Sequence, residues 1–191
     1  MAGAVYCALV HHPVRDREGQ TVTAAVTNID VHDIARSSHT FGVRGFSVVS
    51  PIDAQRALVV KILEHWRNGA GKRRMPHRSE ALAIAIAAAS IDETVDWILR
   101  NEGQKPQLIA TAARPLAGRP LTTFADAARQ LASDTRPALI LFGTGHGLID
   151  EVLQQADVLL EPIRGVGDYN HLSVRAAAAI ILDRLFGARG A

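Results

Sequence analysis

The sequence has a single cysteine, Cys7, which excludes an intramolecular disulfide framework. Cys7 lies in an apolar run and reads as a small buried hydrophobe rather than a reactive thiol. Long apolar runs are lacking too: the longest, residues 81–89, is far too short to cross a bilayer, so no membrane partner is expected. No basic segment followed by an apolar stretch opens the chain, so no signal peptide is expected, and the cytoplasm is the expected compartment. Neither sign of charge dominates. Lys and Arg number 21 against 19 Asp and Glu, a formal net charge of +2, which is weak evidence for a polyanionic partner. The eight histidines, at 11, 12, 32, 39, 65, 77, 146 and 171, show no His-x-x-x-His or Cys/His spacing on a shared face, so no metal is expected. No Gly-x-Gly-x-x-Gly follows the first apolar run, which disfavours a nucleotide-dependent oxidoreductase of the doubly wound type.

What is present fits a globular chain. Its 191 residues suit one domain, 1–191, with a real core, and 48% apolar and 21% charged residues are ordinary for that class. Strand-like and helix-like segments alternate throughout. Residues 5–10, 46–50, 108–111, 138–142 and 158–163 read as buried strands, and 22–27 as a strand or an extended loop. Asp30 is expected to cap a helix running to about Phe41. Asp53 is expected to cap another, with Ala54, Ala57, Leu58, Ile62 and Trp66 on its apolar face. The run 82–88 is ambiguous, since alanine favours helix while its larger residues alternate. Ser90-Ile-Asp-Glu93 reads as a capping box, which makes strand the expectation for the run before it. Thr122 or Thr123 caps a helix to Ala132, and another spans 148–155. Ser173 caps the last helix, whose face carries Val174, Ala177, Ala178, Ile181, Leu182 and Leu185. Such alternation implies an α/β fold: a mostly parallel sheet with helices on both faces, and ligands beyond the carboxyl ends of the strands.

Charge is clustered rather than abundant. Arg67, Lys72, Arg73, Arg74 and Arg78 fall within residues 67–78, which contain no acid, and Gly69, Gly71 and Pro76 interrupt any helix there. A solvated loop and a phosphate-contacting one both fit. The second would neutralise phosphates without reading bases.

Three blocks carry the chemistry. Gly143-Thr-Gly-His-Gly147 follows a strand, and its glycines let backbone approach a ligand closely, although it lacks the Lys-Ser/Thr ending of a P-loop. Glu161-Pro-Ile-Arg-Gly-Val-Gly-Asp168 follows the next strand, with Pro162 stiffening the exit. Asn170-His-Leu-Ser-Val174 offers polar groups just before the last helix. Each alone is compatible with a tight turn or a helix cap. Arg36 is a separate candidate, because a guanidinium can hold a phosphate or stabilise a developing oxyanion, and it is a poor base. A surface ion pair with Asp33, three residues away, is the competing reading.

In order and spacing the blocks at 141–148, 160–165 and 169–180 resemble the C-terminal knot of the SPOUT class of S-adenosylmethionine-dependent RNA methyltransferases. Asn28-Ile-Asp-Val-His-Asp-Ile-Ala-Arg36, followed by Thr40-Phe-Gly-Val43, resembles the first SpoU-type motif. The segments His32 to Arg36 and Tyr169 to Arg175 are similar to those of a branch of RNA methyltransferase-domain proteins. The resemblance implies a SPOUT-like domain whose trefoil knot spans about 137–187, an exception to the rule that chains do not thread loops. It implies S-adenosyl-L-methionine bent in that knot, held by Thr111, Ala112 and Ala113, by Phe142, Gly143, Thr144, Gly145 and Gly147, and by Pro162, Ile163 and Gly165 with Leu172 and Ser173. Arg36 matches the class's functional arginine. Asn28, Asp30 or His32 would assist it, and Asn170 and Ser173 would border the methyl group. A homodimer, with Arg36 serving the partner's cofactor, and an RNA substrate (tRNA or rRNA) gripped by the 67–78 cluster complete the expectation. The glutamate usual in the second motif is absent, and Leu172 stands where an asparagine is usual. The acceptor therefore stays open between a ribose 2′-hydroxyl and a base nitrogen. A non-catalytic RNA-binding module that keeps the cofactor-binding fold is the alternative.

Overall fold

The computed structural model describes residues 2–167 and 169–188. Asp168, at the end of the second block, and the extreme ends of the 1–191 span lie outside the described residues. Six strands form one parallel sheet: β1 (Val5–Val10), β4 (Gly45–Val49), β5 (Ala85–Ala88), β6 (Gln107–Ala110), β7 (Ala138–Gly143) and β8 (Val158–Leu159), in the order β5-β4-β1-β7-β6-β8. A short antiparallel hairpin, β2 (Val14–Arg15) and β3 (Thr21–Val22), stands apart from it.

Period-two alternation sorts the strand side chains onto two cores. Cys7 and Leu9 of β1, with Ile140 and Phe142 of β7, meet α1 (Asn28–Thr40), α2 (Asp53–Arg67), α4 (Pro76–Ala83), α6 (Phe124–Ser133) and α8 (Val174–Phe186). Tyr6, Ala8 and Val10, with Leu139 and Leu141, meet α5 (Ile91–Glu102), α7 (Asp150–Gln155) and Val14 of the hairpin. Both faces are thus covered, as continuous apolar strands require. Cys7 is fully buried.

Several local expectations change. Thr27, not Asp30, caps α1: its hydroxyl oxygen accepts from the Asp30 amide at 3.3 Å, and Asp30 stands in the first turn. Ile52, with no polar side chain, stands at the cap position of α2, and Asp53 is the first helical residue, its carboxylate accepting from Arg56. The buried stripe of α2 is Val59 and Leu63, with Leu58 exposed. The ambiguous run divides, its first residues ending α4 and residues 85–88 forming β5. The strand expected over 158–163 is only two residues long, and beyond it Glu161 N–H donates to Thr122 O instead of to β6. The capping box holds: Ser90 Oγ accepts from the Glu93 amide at 3.1 Å, and Glu93 accepts from the Ala89 amide at 2.6 Å. Thr123 and Ser173 cap α6 and α8.

Candidate functional site

The segments leaving the carboxyl ends of β6 and β7, and the segment approaching α8, converge on one cleft of ≈ 780 Å³. It is lined by Thr111, Ala112 and Ala113, by Phe142 through Gly147, and by Ile163 and Asn170 through Ser173. Asn170 Nδ2 donates to the Ala113 carbonyl at 2.6 Å, so the third segment is tied directly to the first. Pro162 is buried beneath the cleft and Gly165 is exposed, and neither lines it. His146 and His171 do line it, with His171 stacked edge-on against Tyr169.

The glycine block is more constrained than its sequence suggests. The hairpin lies along it: Arg15 N–H donates to Gly147 O at 2.9 Å, and His146 N–H donates to Arg15 O at 3.0 Å. Thr144 N–H donates to Val10 O and Gly147 N–H to Thr144 O, both at 3.0 Å. Three of the block's amides are therefore spent inside the fold and are not free for a ligand. Gly145 has φ +59°, and a Cβ there would stand 3.0 Å from Arg15 O. Glycine is demanded by the turn and by the hairpin's close approach. Beneath the block His11 is fully buried at the end of β1, its Nδ1 3.5 Å from Thr144 Oγ1 and its Nε2 without a partner. Burial lowers its pKa to about 4, against a smaller opposing pull from Asp30.

Sequence reasoning missed the charged tie across the cleft wall. Arg175 Nη1 donates to Asp30 Oδ1 at 3.0 Å, and Arg175 Nε lies 3.7 Å from Asp33 Oδ2. The hydroxyl of Thr27 donates to the other Asp30 oxygen at 2.5 Å. The start of α8 is thereby fastened to the start of α1. The alanine-rich run around Arg175 reads only as an apolar helix, which hid it. With Asp33 engaged by Arg175, Arg36 is exposed and makes no ion pair or hydrogen bond among the described residues. Arg36 lines a shallow groove beside the cleft, and Ser173 and Arg175 border both. Asp30, Asn170 and Ser173 are thus brought together at the cleft, with Arg36 adjoining. Asn28 is exposed away from both hollows. His32 turns to the far side of α1, edge-on to Trp66, and its pKa is lowered by burial first and then by the nearby Arg78 charge.

The basic cluster is helical, not a loop. A short helix, α3 (Ala70–Arg74), links α2 and α4, and Pro76 serves as the first residue of α4, where its missing N–H costs nothing. Arg67 turns inward and donates to the carbonyls of Leu82, Ala83 and Ala85, and Arg78 lies over the Trp66 ring. Only Lys72, Arg73 and Arg74 face outward. They stand at the wrong end of the sheet for the cleft: α2 starts beyond the carboxyl end of β4 and runs about 22 Å back to the amino end of β5.

Among the described residues no group of three or more His, Cys, Asp or Glu could hold a metal ion, and no helix is long and apolar enough to cross a membrane. A family model described as SAM-dependent RNA methyltransferase matches residues 4–187. A protein named tRNA (guanine-N(1)-)-methyltransferase from Oleidesulfovibrio alaskensis (strain G20) is 45% identical over 183 residues, covering 96% of this chain and 42% of that protein. This chain therefore spans about two fifths of the length of that relative. A protein of Aquifex aeolicus (strain VF5) is 37% identical over 182 residues, 95% of this chain and 88% of its own. The SpoU methyltransferase AviRb from Streptomyces viridochromogenes, whose structure is also solved in complex with AdoMet, shares the fold with a TM-score of 0.60. It is 19% identical, and the match covers 97% of this chain and 60% of that one.

Proposed function

Because the chain belongs to the family of SAM-dependent RNA methyltransferases, we propose that it transfers a methyl group from S-adenosyl-L-methionine to RNA at the cleft beyond β6 and β7. The observation that carries this reading is the convergence of three sequence-distant segments on one hollow of ≈ 780 Å³, a usual size for a small-ligand site. The lining fits the donor. Ile163 and Leu172 supply apolar surface for an adenine ring, and the small residues Ala112, Ala113 and Gly145 leave room for backbone contact. Backbone carbonyls and the Gly145 amide are the polar groups for it, since the neighbouring amides of the glycine block are spent in the fold. The donor supplies an electrophilic methyl group on sulfonium, and the protein's task is alignment and exclusion of water. With the donor bound, Asn170 and Ser173 would border its methyl group, and Arg36 would hold a phosphate or developing negative charge of the acceptor from the adjoining groove. Asp30, paired with Arg175 and Thr27, serves as an anchor for that wall rather than as a base.

The trefoil knot is part of the proposal. What supports it is the placement of β8, which lies between β6 and the returning chain at Thr122. Leu160 N–H donates to Ala110 O at 3.0 Å on one side, while Thr122 N–H donates to Leu159 O at 2.8 Å on the other. Residues 111–121 thus arch over the segment that goes on to α8. A homodimer completes the reading. The acceptor follows the named relative in being tRNA, with a guanine nitrogen as the atom. Nucleoside mass spectrometry of RNA from cells with and without the protein tests the proposal. A methylated nucleoside that disappears from the deletion strain is the expected result. Identical profiles would contradict it and favour a non-catalytic RNA-binding module.

A further inference from the structure

With Lys72, Arg73 and Arg74 at the far end of the sheet, the cleft needs other cations if RNA is to be held beside it. Two are present. Arg17, in the turn of the β2–β3 hairpin, and Arg114, just beyond β6, both line the cleft and are both exposed. Neither makes a hydrogen bond or ion pair among the described residues. The carboxylates that share the lining do not neutralise them: Asp30 is taken by Arg175 and Thr27, and Glu161 accepts the Phe124 amide at 2.9 Å. The hairpin that carries Arg17 is anchored on the glycine block by two backbone hydrogen bonds and on the start of α7 by the Arg15–Asp150 ion pair at 2.8 Å, which holds Arg17 in the cleft wall.

We propose that Arg17 and Arg114 are a phosphate grip of this site in addition to Arg36, contacting the backbone of the acceptor RNA beside the nucleotide presented to the cleft. The proposal rests on the methyltransferase reading for its substrate, but not for its test. Phosphate contacts release counterions whatever the sequence, so the slope of log affinity against log salt counts them.

The test is binding of unfractionated tRNA by fluorescence anisotropy across a salt series, using the full chain. The Arg17→Ala/Arg114→Ala double variant should have a slope shallower than wild type by about 1.5, from two lost contacts at ~0.7–0.9 each. The Lys72→Ala/Arg73→Ala/Arg74→Ala triple variant should keep the wild-type slope. The reverse pattern, or an unchanged slope in the double variant, overturns the proposal. Calorimetric titration of S-adenosylmethionine separates the other cleft ligand. Equal cofactor affinity in wild type and double variant is expected, whereas a tenfold loss with an unchanged slope would assign the arginines to the cofactor's carboxylate. If wild type binds no S-adenosylmethionine while the slope change persists, the methyltransferase reading falls and the phosphate grip stands.

Discussion

Arg36 shows how one side chain's role depends on its neighbour's commitments. Asp33 is close enough in sequence to neutralise it, yet Asp33 faces Arg175, and Arg36 is left exposed beside the cleft. Arg36→Ala is expected to lower methyl transfer at least about 100-fold, a typical effect of removing one preorganised charge, while S-adenosylmethionine affinity stays near wild type. Full transfer activity would remove Arg36 from the mechanism. His11 makes a different prediction. Its folded pKa of about 4 lies below the ordinary value of 6.5, so the unfolded chain takes up the proton first as pH falls. The contribution of neutral His11 to stability is whole above pH 6.5 and is lost progressively between 6.5 and 4. Urea unfolding at pH 7 and pH 4.5 should show a larger stability loss for wild type than for His11→Gln. An equal loss would contradict the buried neutral imidazole. Caps such as Ser90 and Ser173 were legible in sequence because they act within one turn. Arg175 and Arg17 were not, since what defines them is a partner, or a cleft wall, more than a hundred residues away.

At the scale of elements, the long buried strands β1, β4 and β7 were readable as apolar runs, and α8 as an apolar stripe. Three regions were not. The 82–88 run carries both helical and strand periodicity, and its division is settled by pairing of β5 with β4, a tertiary contact. Helices α3 and α4 form despite Gly69, Gly71 and Pro76: Pro76 takes a helix's first position, and Gly71 is glycine because a side chain there would collide with Trp66. The hairpin is two residues per strand, too short to register as a pattern, yet it fixes the glycine block. The glycines of that block suggest close backbone approach to a ligand, whereas three of its amides brace the turn. Gly145→Ala is therefore expected to destabilise the protein by about 1–2 kcal/mol, from the left-handed backbone and the tight approach to Arg15 O. Chemical denaturation measures it, and a neutral result would show that the hairpin yields easily.

At the scale of the molecule, alternation of strands and helices foretold a parallel sheet covered on both faces, and the cleft lies at the carboxyl ends of its strands. The order β5-β4-β1-β7-β6-β8 was not legible, since it depends on pairings remote in sequence. The run of α2 from the carboxyl to the amino end of the sheet carries Lys72, Arg73 and Arg74 away from the cleft. A cleft that binds the folded chain's cofactor must stabilise the fold by linkage. S-adenosylmethionine at ~100 times its Kd should add about 2.7 kcal/mol, raising Tm by roughly 5–10 °C for a chain of this size. No shift at saturation would argue against the cleft as a cofactor site. The most direct measurement is transfer itself: purified protein, S-adenosylmethionine labelled in its methyl group, and total RNA from cells lacking the protein. The account predicts label in RNA with wild type and none above background with Arg36→Ala. Cofactor binding by wild type with no label in any RNA would contradict it.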